Sequence, residues 1–226
     1  MPIFTDNRDD HPEFHDEEKE LSKTINENIE NASPWLARGH FYFNFGMWGQ
    51  SANDFKNAIR LGENDDEIYW HLAQSYFLGG QYKESIKEWS YLIDKNSEES
   101  DFYCCRGWAY RKIGDYKLSE ADYTKAISLI PGTEEYIGTI IHYHYFRGQL
   151  YCETQEYQKA IQDFEFVLTR NPGWTACEVW LEDAKNAFEH NLPFTENNFH
   201  LYEGHPGFVE MRPLSFFIDN DEVDGN

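Results

Sequence analysis

The chain has 226 residues, and its 41 acidic against 19 basic side chains give a formal net charge of −22. A chain of this length can form one domain or two small ones with a real core. An aromatic content of 17% excludes a wholly disordered chain, despite a mean hydropathy of −0.75. Binding to nucleic-acid phosphates or to anionic lipid needs clustered Lys and Arg, so neither nucleic acid nor a membrane is an expected partner.

Charge is uneven along the chain: residues 1–33 carry −7, residues 34–190 carry −9 and residues 191–226 carry −6. The two ends read as solvated acidic segments. Within the first, residues 1–31, Met1 to Glu20 holds no apolar stretch of signal-peptide length, and Asp16 to Asn31 predicts a polar helix. Nowhere does the chain approach the roughly 18 apolar residues of a membrane span. The cysteines are Cys104, Cys105, Cys152 and Cys177, and adjacent Cys104 and Cys105 rarely pair with each other. Four scattered thiols fit a reducing compartment, so the expected location is cytoplasmic.

From residue 32 the sequence repeats. Gly39, Ala73, Gly107 and Gly148 fall in register, and three residues on from each stands Tyr42, Tyr76, Tyr110 or Tyr151. Next come Trp48, Tyr82, Tyr116 and Tyr157, then the small residues Ser51, Ser85, Ser119 and Ala160. Phe55, Trp89, Tyr123 and Phe164 follow, and after them Ala58, Leu92, Ala126 and Val167. Successive copies are offset by 34, 34 and 41 residues. Each holds two amphipathic segments at helical spacing, broken at Phe45-Gly46, Gly79-Gly80, Ile113-Gly114-Asp115 and Thr154-Gln155.

This pattern resembles the tetratricopeptide repeat, a 34-residue helix–turn–helix unit. The resemblance implies an all-α fold, a right-handed superhelical α-solenoid of stacked hairpins. The expected repeats are 32–65, 66–99, 100–132 and 133–172. A capping helix over 173–190, read from Trp174 to His190, covers the last apolar face. Residues 191–226 lie outside the repeat. Pro131 and Pro172 close the third and fourth units, whereas Glu63 and Ser97 stand at that place in the first two. The seven-residue excess of the fourth unit predicts a longer first helix starting near Thr133.

Arg38, Arg106 and Arg147 directly precede the repeat glycine, and Asp54, Asp122 and Asp163 directly precede the second-helix ring. These are either Arg–Asp bridges between the two helices of a hairpin or separate solvated charges. The second unit has Leu72 and Glu88 instead.

In the family the first helices line a concave groove. The resemblance places His40, Phe43 and Asn44 there from the first unit, and Trp70, His71, Gln74 and Phe77 from the second. The third contributes Cys104, Trp108 and Arg111, and the fourth His142, Tyr145 and Gln149. Such a mixture of rings, amides and histidines suits a peptide or helix, although any one ring could instead pack in the core. Members that grip the carboxylate of chaperone tails use clustered Lys, Arg and Asn, which these positions lack. Acidic members acting as secretion chaperones are more similar.

In the tail, 208–218 is too apolar for a free acidic end and is broken for a helix by Pro213; alternation of Leu214, Phe216 and Ile218 suits an extended segment. It either docks on the array or stays disordered. His11 and His15 have metal-ligand spacing, but no other ligand set, phosphate loop, nucleophile elbow or carboxylate pair stands out, so no cofactor, metal or catalytic residue is expected. The expected function is a non-enzymatic module, adaptor or chaperone-like, that captures a partner protein or peptide in the groove, with negative potential favouring a basic partner. The alternative is an acidic inhibitor or immunity protein that neutralises a basic toxin or nuclease.

Overall fold

The computed structural model describes residues 12–131 and 133–195. The segment 208–218 and His11 therefore lie outside the described residues. Ten α-helices and one short 3-10 turn are present among the described residues, with no strand. They fall into two compact units that divide after Ser97.

The first unit holds α1 (Pro12–Glu27), α2 (Ala32–Asn44), α3 (Trp48–Arg60), α4 (Asp66–Leu78) and α5 (Tyr82–Lys95). The second holds α6 (Ser100–Lys112), α7 (Tyr116–Leu129), α8 (Ile137–Glu153), α9 (Tyr157–Arg170) and α10 (Thr175–His190). The pairs α2–α3, α4–α5, α6–α7 and α8–α9 are the four hairpins expected from the repeat.

Each hairpin turns in the same way. Gly46, Gly80 and Gly114 adopt φ of +72°, +75° and +78°, the left-handed conformation that closes a helix, and Gln155 takes it at +61° in the fourth. In all four the next N–H reaches back to the repeat tyrosine carbonyl: Met47 to Tyr42 at 2.8 Å, Gln81 to Tyr76 at 2.7 Å, Asp115 to Tyr110 at 2.9 Å, and Glu156 to Tyr151 at 2.7 Å. One residue later a helix begins again, so chain direction reverses within four residues.

The two helices of a hairpin meet where the first carries almost no side chain. A Cβ built on Gly39 would lie 3.0 Å from Phe55 Cε1, and one on Gly148 only 2.7 Å from Phe164 Cε1. Phe55, Trp89, Tyr123 and Phe164 are all fully buried. Beside each glycine contact sits the Arg–Asp pair, which is a bridge and not two solvated charges. Arg38 donates from Nε to Asp54 Oδ2 at 2.6 Å and from Nη2 to Oδ1 at 2.9 Å. Arg106–Asp122 repeats the fork at 2.8 and 2.8 Å, and Arg147–Asp163 at 2.9 and 2.8 Å. In the fourth hairpin His144 Nδ1 also lies 2.6 Å from Asp163 Oδ1.

Two expectations need correction. The N-terminal helix starts at Pro12 rather than Asp16, because one apolar stripe was hidden in its acidic surface. Phe14 is buried against Phe41 and Phe45, with centroids 4.9 Å from each, and Ile25 is buried further along. Proline costs nothing at a first helical position, where its missing N–H has no intrahelical partner. In the fourth repeat, α8 starts at Ile137 rather than near Thr133, after a 3-10 turn at Glu134–Tyr136. The seven-residue excess is thus divided. α8 runs for 17 residues against 13 in α6, about one extra turn, and the rest forms the connection after Pro131. A full turn keeps the buried face in phase. Tyr143 on this longer helix donates to Asp101, and its hydroxyl lies 3.0 Å from that of Ser100, tying α8 to the start of α6.

Gly148→Ala should lower stability by about 1–2 kcal/mol, because overpacking against an immobile ring outweighs the gain in helix propensity. Gly138→Ala on the same helix, where an added Cβ meets nothing within 4 Å, should instead raise stability, by up to about 1 kcal/mol. Denaturant unfolding of both variants checks the opposite signs. In the same assay Asp163→Ala should cost more than Asp122→Ala, since it strands both Arg147 and His144, against Arg106 alone.

Candidate partner-binding faces

In the first unit, His40, Phe43 and Asn44 sit on α2, and Trp70, His71, Gln74 and Phe77 on α4. Five of these seven keep solvent access: Asn44 is exposed, while His40, Phe43, His71 and Gln74 are half-buried; Trp70 and Phe77 are buried. The rings form a continuous patch. His40 and His71 meet edge-to-face at 4.5 Å, Phe43 and His71 at 5.1 Å, and Trp70 and His71 at 4.8 Å. Trp48, at the start of α3, closes on Phe43 at 5.4 Å. Phe55, the core ring, lies 5.0 Å beneath His40 and 5.5 Å from His71. Core and face therefore share one ring stack. Burial of the imidazole lowers the pKa of His40, with Glu67 opposing.

In the second unit the expected residues separate. Cys104 is fully buried on α6, and burial holds its thiol pKa well above the ordinary range. Trp108 is half-buried and stacks on Phe146 at 4.9 Å and 27°. Arg111 is engaged inside the unit: Nε and Nη2 donate to Glu153 Oε1 at 3.0 and 2.6 Å, and Nη1 to Gln149 Oε1 at 3.1 Å. Arg111 and Gln149 thus hold α6 to α8. On α8, His142 is exposed and Tyr145 is buried. Trp174, at the N-cap of α10, comes within 5.1 Å of the His142 ring and stacks on Tyr145 at 4.7 Å and 30°. Burial pushes the Tyr145 hydroxyl pKa up.

Phe146 and Trp174 were missed in the sequence. Phe146 occupies the repeat register of His71, so comparing the copies could have found it. Trp174 lies outside the repeat, and only the return of α10 brings it onto α8. His142 and His144, two residues apart on α8, diverge as a helix requires, His144 stacking on Phe166 at 3.8 Å. No group of three or more His, Cys, Asp or Glu side chains able to hold a metal ion occurs among the described residues. All four cysteines are free and buried.

The profile of the tetratricopeptide repeat matches residues 100–133. Among curated proteins, human tetratricopeptide repeat protein 16 is 23% identical over 167 residues, covering 67% of this chain and 19% of its own length. ETO1-like protein 2 of Arabidopsis thaliana is 27% identical over 138 residues, covering 59% of this chain and 13% of its own. The chain thus spans a fifth or less of these relatives. Among solved structures, the C-terminal part of a repeat protein from Cytophaga hutchinsonii superposes with a TM-score of 0.65 at 18% identity, covering 79% of this chain and 68% of that one. MamA gives 0.60 at 21% identity, covering 75% and 96%. YrrB, described as a tetratricopeptide-repeat protein with an unusual peptide-binding site, gives 0.56 at 18%, covering 76% and 84%. With the repeat period, the four uniform turns and the glycine-on-ring contacts, these likenesses show a tetratricopeptide repeat at 100–133 and the tetratricopeptide-repeat fold in four hairpins and a capping helix.

Proposed function

We propose that this chain is a non-enzymatic binding module that captures a protein or peptide on the aromatic faces of its first helices. The tetratricopeptide fold is a protein–protein interaction scaffold, and what carries the reading here is the half-buried ring clusters. His40, Phe43 and His71 in the first unit, and Trp108 and Trp174 in the second, offer apolar ring area beside polar Asn44, Gln74 and His142. Rings already held by packing lose little side-chain freedom when a partner covers them, and that favours aromatic anchors. The likeness to YrrB, with its peptide-binding site, supports the same reading. A net charge of −22 attracts basic partners and speeds their encounter, so an adaptor or chaperone-like role toward a basic protein is the form we favour. No helix among the described residues is long and apolar enough to cross a membrane.

Affinity capture with the full chain tests this. A partner held by ring burial should survive about 0.5 M salt, where the Debye length falls to a few ångströms. It should be lost from Phe43→Ala or Trp108→Ala and kept by Lys56→Ala on the exposed surface of α3. Retention by both ring variants, with their melting temperatures unchanged, would sink the proposal. His40 adds a pH signature. Because its folded-state pKa is lowered, the unfolded chain binds the proton more readily, so stability falls as pH drops from about 6.5 toward the folded value. The loss of melting temperature between pH 8 and pH 5.5 should shrink in His40→Gln, measured by thermal unfolding.

A further inference from the structure

The described chain does not run off the end of α10. Asn191 takes a left-handed φ of +52°, and Leu192 N–H returns to Ala187 O at 2.9 Å, so the backbone doubles back. The Tyr157 hydroxyl then fixes the Leu192 carbonyl at 2.7 Å. Phe194 lands parallel to the Trp180 ring, with centroids 6.2 Å apart and planes at 13°. Trp180 is buried and interacts with the hydroxyl of Tyr145, which stacks on Trp174 beside His142. A ladder of rings therefore leads from the last described residues into the aromatic face of the second unit, and Phe194 already occupies its outermost rung.

We infer that the chain is its own ligand: residues 208–218 continue from Phe194 onto the face lined by Trp174, His142 and Trp108, and compete there with an outside partner. This inference rests on the reading of that face as a binding surface. Reach is sufficient, because the thirteen residues 195–207 span up to roughly 45 Å extended, whereas α8 is only about 25 Å long. The chemistry fits as well. Residues 208–218 hold one acid and one base in an otherwise strongly acidic end, so the segment adds no net charge. In an extended conformation Leu214, Phe216 and Ile218 present one apolar edge. Self-occupancy raises the apparent Kd for a partner by the reciprocal of the open fraction, about tenfold if one molecule in ten is open.

Photocrosslinking of the full chain tests the inference, with p-benzoylphenylalanine in place of Phe216. Irradiation of dilute protein should give intramolecular cross-links to peptides containing Trp108, His142–Phe146 or Trp174, and Leu214→Asp in the same chain should suppress them. Cross-links elsewhere in the chain, cross-links to a second chain, or none at all would overturn it. The outcome is separable from that of the binding reading. If cross-links miss the face while Trp108→Ala still loses a partner, self-occupancy is wrong and the face stands. If they reach it while Trp108→Ala keeps its partner, the tail docks there and outside capture does not use that surface.

Discussion

The constraint on which every hairpin depends is the near absence of a side chain where its two helices cross. A helix pair can approach so closely only if one member presents Gly or Ala, and the ring that fills the space must then be fully buried. Phe55, Trp89, Tyr123 and Phe164 meet this condition. The approach also decides what lies next to it. Arginine stands one place before the glycine and aspartate one place before the ring, so closing the contact brings guanidinium and carboxylate into a two-bond fork. Tyr42, Tyr110 and Tyr151, four residues beyond each arginine, place a ring 5.5, 5.8 and 5.7 Å from the guanidinium carbon. Desolvating two charges offsets much of their attraction, so the fork chiefly enforces the register of the helices.

The second hairpin demonstrates the same constraint by departing from it. With Ala73 in place of glycine and Trp89 as the ring, it fills the crossing with bulk, and the fork gives way to Leu72 and Glu88. Leu72 joins the core of Ala52, Phe55, Ile68 and Tyr76, while burial raises the pKa of Glu88. The first helix of this hairpin carries Trp70, His71 and Phe77. Its Trp70 and Phe77 are buried supports, and its His71 is shared between surface and core.

Within each unit the same helices thus carry two roles on one set of packed rings. Phe55 fills the hairpin interior and lies under His40 and His71; Tyr145 is buried yet stacks on Trp174. A partner covering such a face would touch rings braced from behind. In the second unit the return of the chain at Asn191 extends this logic, because Phe194 joins its rings through Trp180.

Much of this was legible in the residues themselves. A recurring glycine, ring, arginine and aspartate at a common offset defines the hairpins and turns and singles out the pairs that could bridge them, since each depends on neighbours within one repeat; the closed hairpins decided that they do. The polar helix at the start was harder to read, because Phe14 and Ile25 are apolar positions in an acidic setting and only Phe41 and Phe45 show what they bury against. The long fourth repeat was equally ambiguous, since seven extra residues can lengthen a helix or a loop, and the fold divided them between the two. Candidate face residues were named by register, but register does not report exposure. Whether Cys104 or Tyr145 lies under a neighbour, whether Arg111 is engaged by Glu153, and whether Trp174 reaches α8 depend on helices far apart in the chain. Sequence alone determined the repeat, its period and which Arg and Asp recur together, because these are local regularities of helical geometry. Tertiary structure decided which rings remain at the surface, because burial is set by packing between repeats and no single repeat contains that information.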